Sequence, residues 1–193
     1  MRNLLVIAIA GAVIGGCGQA SKGGNAAGAT NQSLPSAAND AMPASTRAGP
    51  STAEVATMIE RDGATRTVQT LDQGETVTRF TQVLESIASG DPQWLALVPR
   101  LGPGVDAGTS TGLIIAVAEA LPRNAAGVLG LAVAGGWSLD DACSYPMIEP
   151  TAAEKAAYFA AVMPAVEAVA DPALQDAKAV CLTQLRAAQA LAN

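Results

Sequence analysis

Between Glu75 and Ser89 the apolar residues Val77, Phe80, Leu84 and Ile87 recur at intervals of three and four, and Gly90 follows. That spacing predicts an amphipathic helix with one buried face, stopped by the glycine. A shorter helix is predicted over Thr52 to Arg61, with Val55, Met58 and Ile59 on one side. Thr65 to Leu71 fits a strand as well as a helix, because its Thr and Val residues are stiff at χ1 and suit pleated structure. In "DPQWLALVPRLG", Asp91 is a cap, Pro92 suits the first helical position, Pro99 kinks the segment and Gly102 ends it.

Farther along, the patterning becomes almost uniformly apolar. Leu113 to Leu121, ended by Pro122, reads as a helix buried on most sides. Asn124 to Ala134 gives another, closed by Gly135 and Gly136. "WSLDDACSYPMIEP" has no period and is predicted irregular, with one turn over Leu139 to Ala142 capped by Ser138. Thr151 and Glu154 form a capping box that opens a helix to Ala170, bent near Pro164. Asp171 and Pro172 repeat the earlier cap and start a last helix running to about Ala190. The expectation for residues 51–193 is an all-α domain, a compact array of seven to eight short helices joined by short turns.

The N-terminal end has a different pattern. Arg2 precedes an apolar run from Leu4 to Ile14, too short for the roughly 20 residues that span a bilayer but suited to an export signal. The run ends at Ile14-Gly15-Gly16-Cys17, which resembles the lipobox of bacterial lipoproteins. The resemblance implies removal of residues 1–16 and acylation of Cys17, giving a membrane anchor at the N-terminus. Gly18, rather than an aspartate, after the cysteine implies sorting to the outer membrane in a Gram-negative cell, with the domain facing the periplasm. Ordinary secretion with cleavage after Ala20 is the alternative. Residues 17–50 then form a lipidated Cys and a linker rich in Gly, Ala, Ser, Asn and Pro, expected to be disordered because it has too little apolar surface to offset its ordering entropy. A coil of that length reaches roughly 30 Å.

Composition narrows the chemistry. Half the 193 residues are apolar, but only 3% are aromatic, so the core must be built from small and branched side chains. The net charge is −6, without a run of Lys or Arg, which argues against a nucleic-acid partner. With Cys17 assigned to lipid, Cys143 and Cys181 remain, and an even pair in an exported chain reads as a disulfide.

Candidate catalytic and binding residues each meet a simpler explanation. Gly108-Thr109-Ser110-Thr111-Gly112 matches the G-x-S-x-G nucleophile elbow, but a Gly/Pro loop precedes it where a strand is required, and the chain contains no histidine. Lys155 and Lys178 are the lysines of the domain, both at helix-surface positions. Thr109 or Ser110 is expected instead to cap the next helix. Glu85-Ser86 resembles the Glu-Ser pair of lytic transglycosylases, which implies a Glu general acid; the resemblance covers two residues, and a solvated helix face accounts for Glu85. Asp140, Asp141 and Glu149 offer carboxylates for a hard cation, at a spacing that fits no EF-hand. Glu119 is a lone charge in an apolar helix. Trp137 is a candidate partner anchor after two glycines, with core packing the plainer expectation for it and for Trp94. No catalytic, metal or cofactor site is assigned.

"IASGDPQWLALVPRLGPGVDAG", "EALPRNAAGVL" and the later cysteine pair are similar to a group of small, uncharacterised proteobacterial envelope proteins. The resemblance implies a helical fold and carries no activity. The function expected is that of a non-catalytic, membrane-anchored lipoprotein whose helical periplasmic domain binds another envelope protein. A binder of small apolar ligands and a carboxylate-dependent peptidoglycan enzyme are the alternatives. A flat exposed patch around Trp137 would favour docking, an apolar pocket the ligand, and a cleft converging on Glu85 or Glu119 the enzyme.

Overall fold

The computed structural model describes residues 49–74 and 77–191. The expected signal peptide, Cys17 and all but the last two residues of the expected linker lie outside the described residues. Of the linker, Gly49 lies against Gln82 and Pro50 is buried, so the chain already packs on the domain before the first helix begins.

The domain is all-α, with no strand among the described residues. Its helices are α1 (Thr52–Asp62), α2 (Ala64–Leu71), α3 (Arg79–Ala88), α4 (Pro92–Leu95), α5 (Val98–Leu101), α6 (Ala107–Ala120), α7 (Ala125–Val133), α8 (Leu139–Ala142), α9 (Ala152–Glu167) and α10 (Gln175–Leu191). The seven longer ones correspond to the seven to eight expected; α4, α5 and α8 are single turns. Among the described residues no helix is long and apolar enough to cross a membrane.

Local chemistry accounts for most boundaries. Ser51, Thr78 and Asn124 each accept a backbone N–H from three residues on, at 3.1, 3.1 and 2.9 Å. Thr151 and Glu154 cap α9 reciprocally, as expected. Residues 64–71 are helical: Leu71 and Val68 turn into the core, and the Thr67 hydroxyl donates to the Gly63 carbonyl at 2.8 Å.

Several expectations are corrected. Helix α3 starts at Arg79 rather than Glu75, because Thr78 is the cap; Val77 precedes it and is exposed, and the buried face is Phe80, Val83 and Ile87. The kinked helix expected over 92–102 is two single turns followed by a 3-10 turn at Gly102–Gly104. Pro99 has no N–H to continue a ladder, and the backbone bonds between the turns shorten to i+3. Helix α6 begins at Ala107, capped by Asp106, which accepts the N–H groups of Gly108 and Thr109 at 2.9 and 3.0 Å. Thr109 completes that capping box, and Ser110 lies within the helix.

Helix α6 is central, packed on α3, α7 and α8, with Leu113, Ala116, Val117, Ala118 and Ala120 buried. Two glycines permit close approaches. A Cβ on Gly112 would lie 2.8 Å from the Leu84 side chain, and one on Gly104 would lie 2.4 Å from the Ala64 backbone. Helix α10 closes the other side against α9, α8 and α7, burying Cys181 and Leu185. Helix α9 ends at Glu167, earlier than the expected Ala170, where the Lys178 ammonium donates to the carbonyls of Glu167 and Val169 at 2.6 and 2.8 Å.

Candidate functional site

Residues 143–151, between α8 and α9, carry Ile148, at 76% exposure the most exposed large apolar side chain of the described residues after Leu191 at the end of α10. An isolated exposed Ile needs no explanation. Here, however, the segment that carries it is fixed on every side.

The first tie is covalent. Cys143 and Cys181 form a disulfide with a Cα–Cα distance of 5.3 Å, both residues being buried. It joins the end of α8 to α10. Next, the Ser144 hydroxyl donates to the Asp141 carbonyl at 2.8 Å, and the buried Tyr158 hydroxyl lies 3.2 Å from the Ser144 carbonyl and 3.3 Å from that of Ala118. Burial, and then the nearby charge of Glu119, raise the Tyr158 pKa far above its ordinary value, so the phenol stays a donor.

Aromatic packing supplies the third tie. Three of the chain's six aromatic residues meet here, in a sequence that otherwise has few. The Tyr145 ring stacks on Phe159 with centroids 5.5 Å apart and meets Tyr158 edge-on at 5.3 Å. Such arrangements are worth about 0.5–1.5 kcal/mol per pair beyond area burial. The Tyr145 hydroxyl donates to the Met147 sulfur at 3.3 Å, and Pro146 is buried.

The far end is fixed by the α9 cap. Glu154 accepts from the Thr151 N–H and hydroxyl at 2.8 and 2.7 Å, and those bonds hold its carboxyl pKa below the ordinary value. Between the ties lies the tip, Met147-Ile148-Glu149. Glu149 has φ +51°, the left-handed region that a non-glycine residue rarely adopts, and it is alone in this among the described residues. Such strain persists where the surroundings over-determine the backbone, and it concentrates at functional positions.

The residues singled out from sequence are dispersed. Glu85 is exposed on α3, and the Ser86 hydroxyl donates to the Gln82 carbonyl at 2.8 Å rather than to a neighbouring acid. Glu119 is half-buried on α6 and acts on Tyr158. Ser110 is half-buried in the first turns of α6. Asp140 accepts the Gln184 side-chain amide from α10, and among the described residues no group of three or more His, Cys, Asp or Glu is placed to hold a metal ion. Trp94 and Trp137 are half-buried against the core, Trp137 over Gly102 with its indole N–H buried and unpaired among the described residues. Trp137 is thus only half-buried, whereas Ile148 is exposed.

The surface also carries several concavities that the loop does not line. A shallow one of about 300 Å³ on α10 is lined by Ala179, Val180, Thr183 and Gln184. Two others, of about 260 and 300 Å³, share Asp72, Asp106 and Thr109 between α2, α3 and α6. Asp106 has a local task there: the Thr109 N–H and hydroxyl and the Gly108 N–H depress its pKa while it caps α6.

Sequence reasoning passed over Ile148. The available signal was an apolar residue between two prolines, Pro146 and Pro150, in a stretch with no helical period. No protein-family model, curated protein or solved structure matches the chain.

Proposed function

We propose that this chain is a non-catalytic lipoprotein, anchored through acylated Cys17 to the outer membrane and facing the periplasm, whose helical domain binds another envelope protein through the 145–149 loop. The leader and the Ile14-Gly15-Gly16-Cys17 sequence support the anchor. The Cys143–Cys181 bond supports an oxidising compartment, since such bonds persist mainly outside the cytosol. The carrying observation for binding is Ile148, presented to solvent on backbone that the disulfide, Tyr145, Tyr158 and the Thr151 cap hold in place.

The physical logic is preorganisation. A partner that buries Ile148 gains its apolar area without having to order the loop first, and ordering side chains and loops is a large part of what association costs. A long linker extends the range over which an anchored domain can meet that partner.

The test is comparative capture from gently solubilised envelopes, using the full chain and Ile148→Asp at matched amounts. A protein recovered with the wild type and depleted at least tenfold with the variant supports docking through this loop, a loss of about 1.4 kcal/mol or more. Recovery of the same proteins with both sinks the assignment. The mass of the mature N-terminal peptide decides the anchor: diacylglycerol on Cys17 is expected, and a free amine on Ser21 contradicts it.

A further inference from the structure

We infer that the partner receives Ile148 in an apolar pocket whose rim carries arginine or lysine; this rests on the docking role just proposed for the loop. The segment that carries the tip is acidic. Residues 138–154 contain Asp140, Asp141, Glu149 and Glu154 and no Lys or Arg, while the half-buried Lys155 follows. The four ion pairs of the described residues lie elsewhere, joining Arg61 to Asp62, Arg79 to Glu54, Arg100 to Glu60 and Arg186 to Glu167. Two further cations are engaged by backbone carbonyls: Arg123 by Ala88 and Glu119, and Lys178 by Glu167 and Val169.

The acids of this segment differ in what they already do. Asp140 accepts the Gln184 amide and Glu154 is engaged by Thr151. The exposed Glu149 carboxylate, and that of half-buried Asp141, make no hydrogen bond among the described residues. Glu149 is the decisive one, because it is covalently next to Ile148 and its left-handed backbone fixes the direction in which it leaves the loop. A pocket that takes up Ile148 strips water from Glu149 at the same time. A carboxylate loses much hydration free energy on such transfer unless a donor replaces the water. Among the described residues no donor bonds Glu149, so in the docked state the partner supplies one. A guanidinium suits best, since it meets a carboxylate with two parallel N–H bonds and is itself weakly hydrated. Asp140, Asp141 and Glu154 enlarge the same field and steer a basic surface toward the tip during encounter.

The test places the photocrosslinker benzoylphenylalanine at position 148 of the full chain in intact cells, with Thr183 on the α10 face as the control position. The crosslinked peptide is mapped, and yields are compared for the parent, Glu149→Lys and Glu149→Asn. Asparagine tolerates positive φ, so that variant removes the charge without straining the loop. The expected result is one adduct specific to position 148, within a few residues of an Arg or Lys of another protein. Its yield should fall about tenfold in Glu149→Lys and about threefold in Glu149→Asn, and fall further with added salt in spheroplasts. A specific adduct whose yield ignores both substitutions and salt overturns the basic rim while leaving the docking role intact. Equal adducts from positions 148 and 183, or an adduct only with a second copy of this chain, overturn the docking role itself.

Discussion

Replacing Cys143 and Cys181 together by alanine tests whether the loop depends on its covalent tie. The bond closes 38 residues of chain. In the chain-entropy description a loop of that length loses about 13 cal/mol/K on cross-linking in the unfolded state, or about 4 kcal/mol at 25 °C. For a domain of this size each kcal/mol moves the thermal midpoint by about 3 °C. The double variant should therefore melt about 12 °C below the oxidised wild type. The assay is circular dichroism at 222 nm on the full chain in detergent micelles, run with and without reductant. Wild type reduced under denaturing conditions and refolded should match the alanine pair, which separates the lost bond from the lost sulfur packing. Near-ultraviolet dichroism from Tyr145 and Tyr158 should weaken in step, because both rings stand against the tied segment. A midpoint within about 3 °C of the oxidised wild type would refute the reasoning, since it would limit the bond's contribution to roughly 1 kcal/mol.

Other perturbations probe the supporting contacts. Gly104→Ala puts a methyl 2.4 Å from the Ala64 backbone, which cannot swing away, and should destabilise by about 1–3 kcal/mol or more in urea titration; a neutral result would contradict the close packing of that turn on α2. Tyr158→Phe removes the donor facing the Ser144 carbonyl and should cost about 1–2 kcal/mol in the same assay. Asp106→Asn tests linkage. The folded-state pKa of Asp106 lies below its unfolded value of 3.8, so its stabilisation is present above that pH and disappears as the pH falls through the folded value. The wild type's advantage in melting temperature over Asp106→Asn should be full near pH 7 and shrink below about pH 4; a constant offset would contradict the assignment.

Much of the scaffold was readable from residue type alone, because capping is local chemistry. Asn124, Ser138, the Thr151–Glu154 pair and Asp171-Pro172 each mark the boundary that their side chains create. The cysteine pair was readable by count. The start of α6 was misplaced because glycines at 102, 104 and 108 suggest a loop, yet Gly108 only lengthens a helix whose Asp106 cap bonds outweigh its propensity cost. Val77 continues the apolar period of α3 but lies outside it, since Thr78 caps first. For Ile148 the flanking prolines and the missing helical period were the whole of the local signal. The hold on its segment depends on Cys181, Tyr158 and Phe159, which come from α9 and α10, and no window around residue 148 contains α10. Local pattern cannot reveal that a loop is held by distant partners.

A held loop can be told from a merely exposed one by nuclear relaxation in the free protein. The decisive quantity is the backbone order parameter of Met147, Ile148 and Glu149 in the oxidised full chain, in micelles and without partner. Values near about 0.85, matching the flanking helices, are predicted for a tip fixed before it docks. Values below about 0.6 would mean that the tip moves freely, and the preorganised anchor would have to be abandoned.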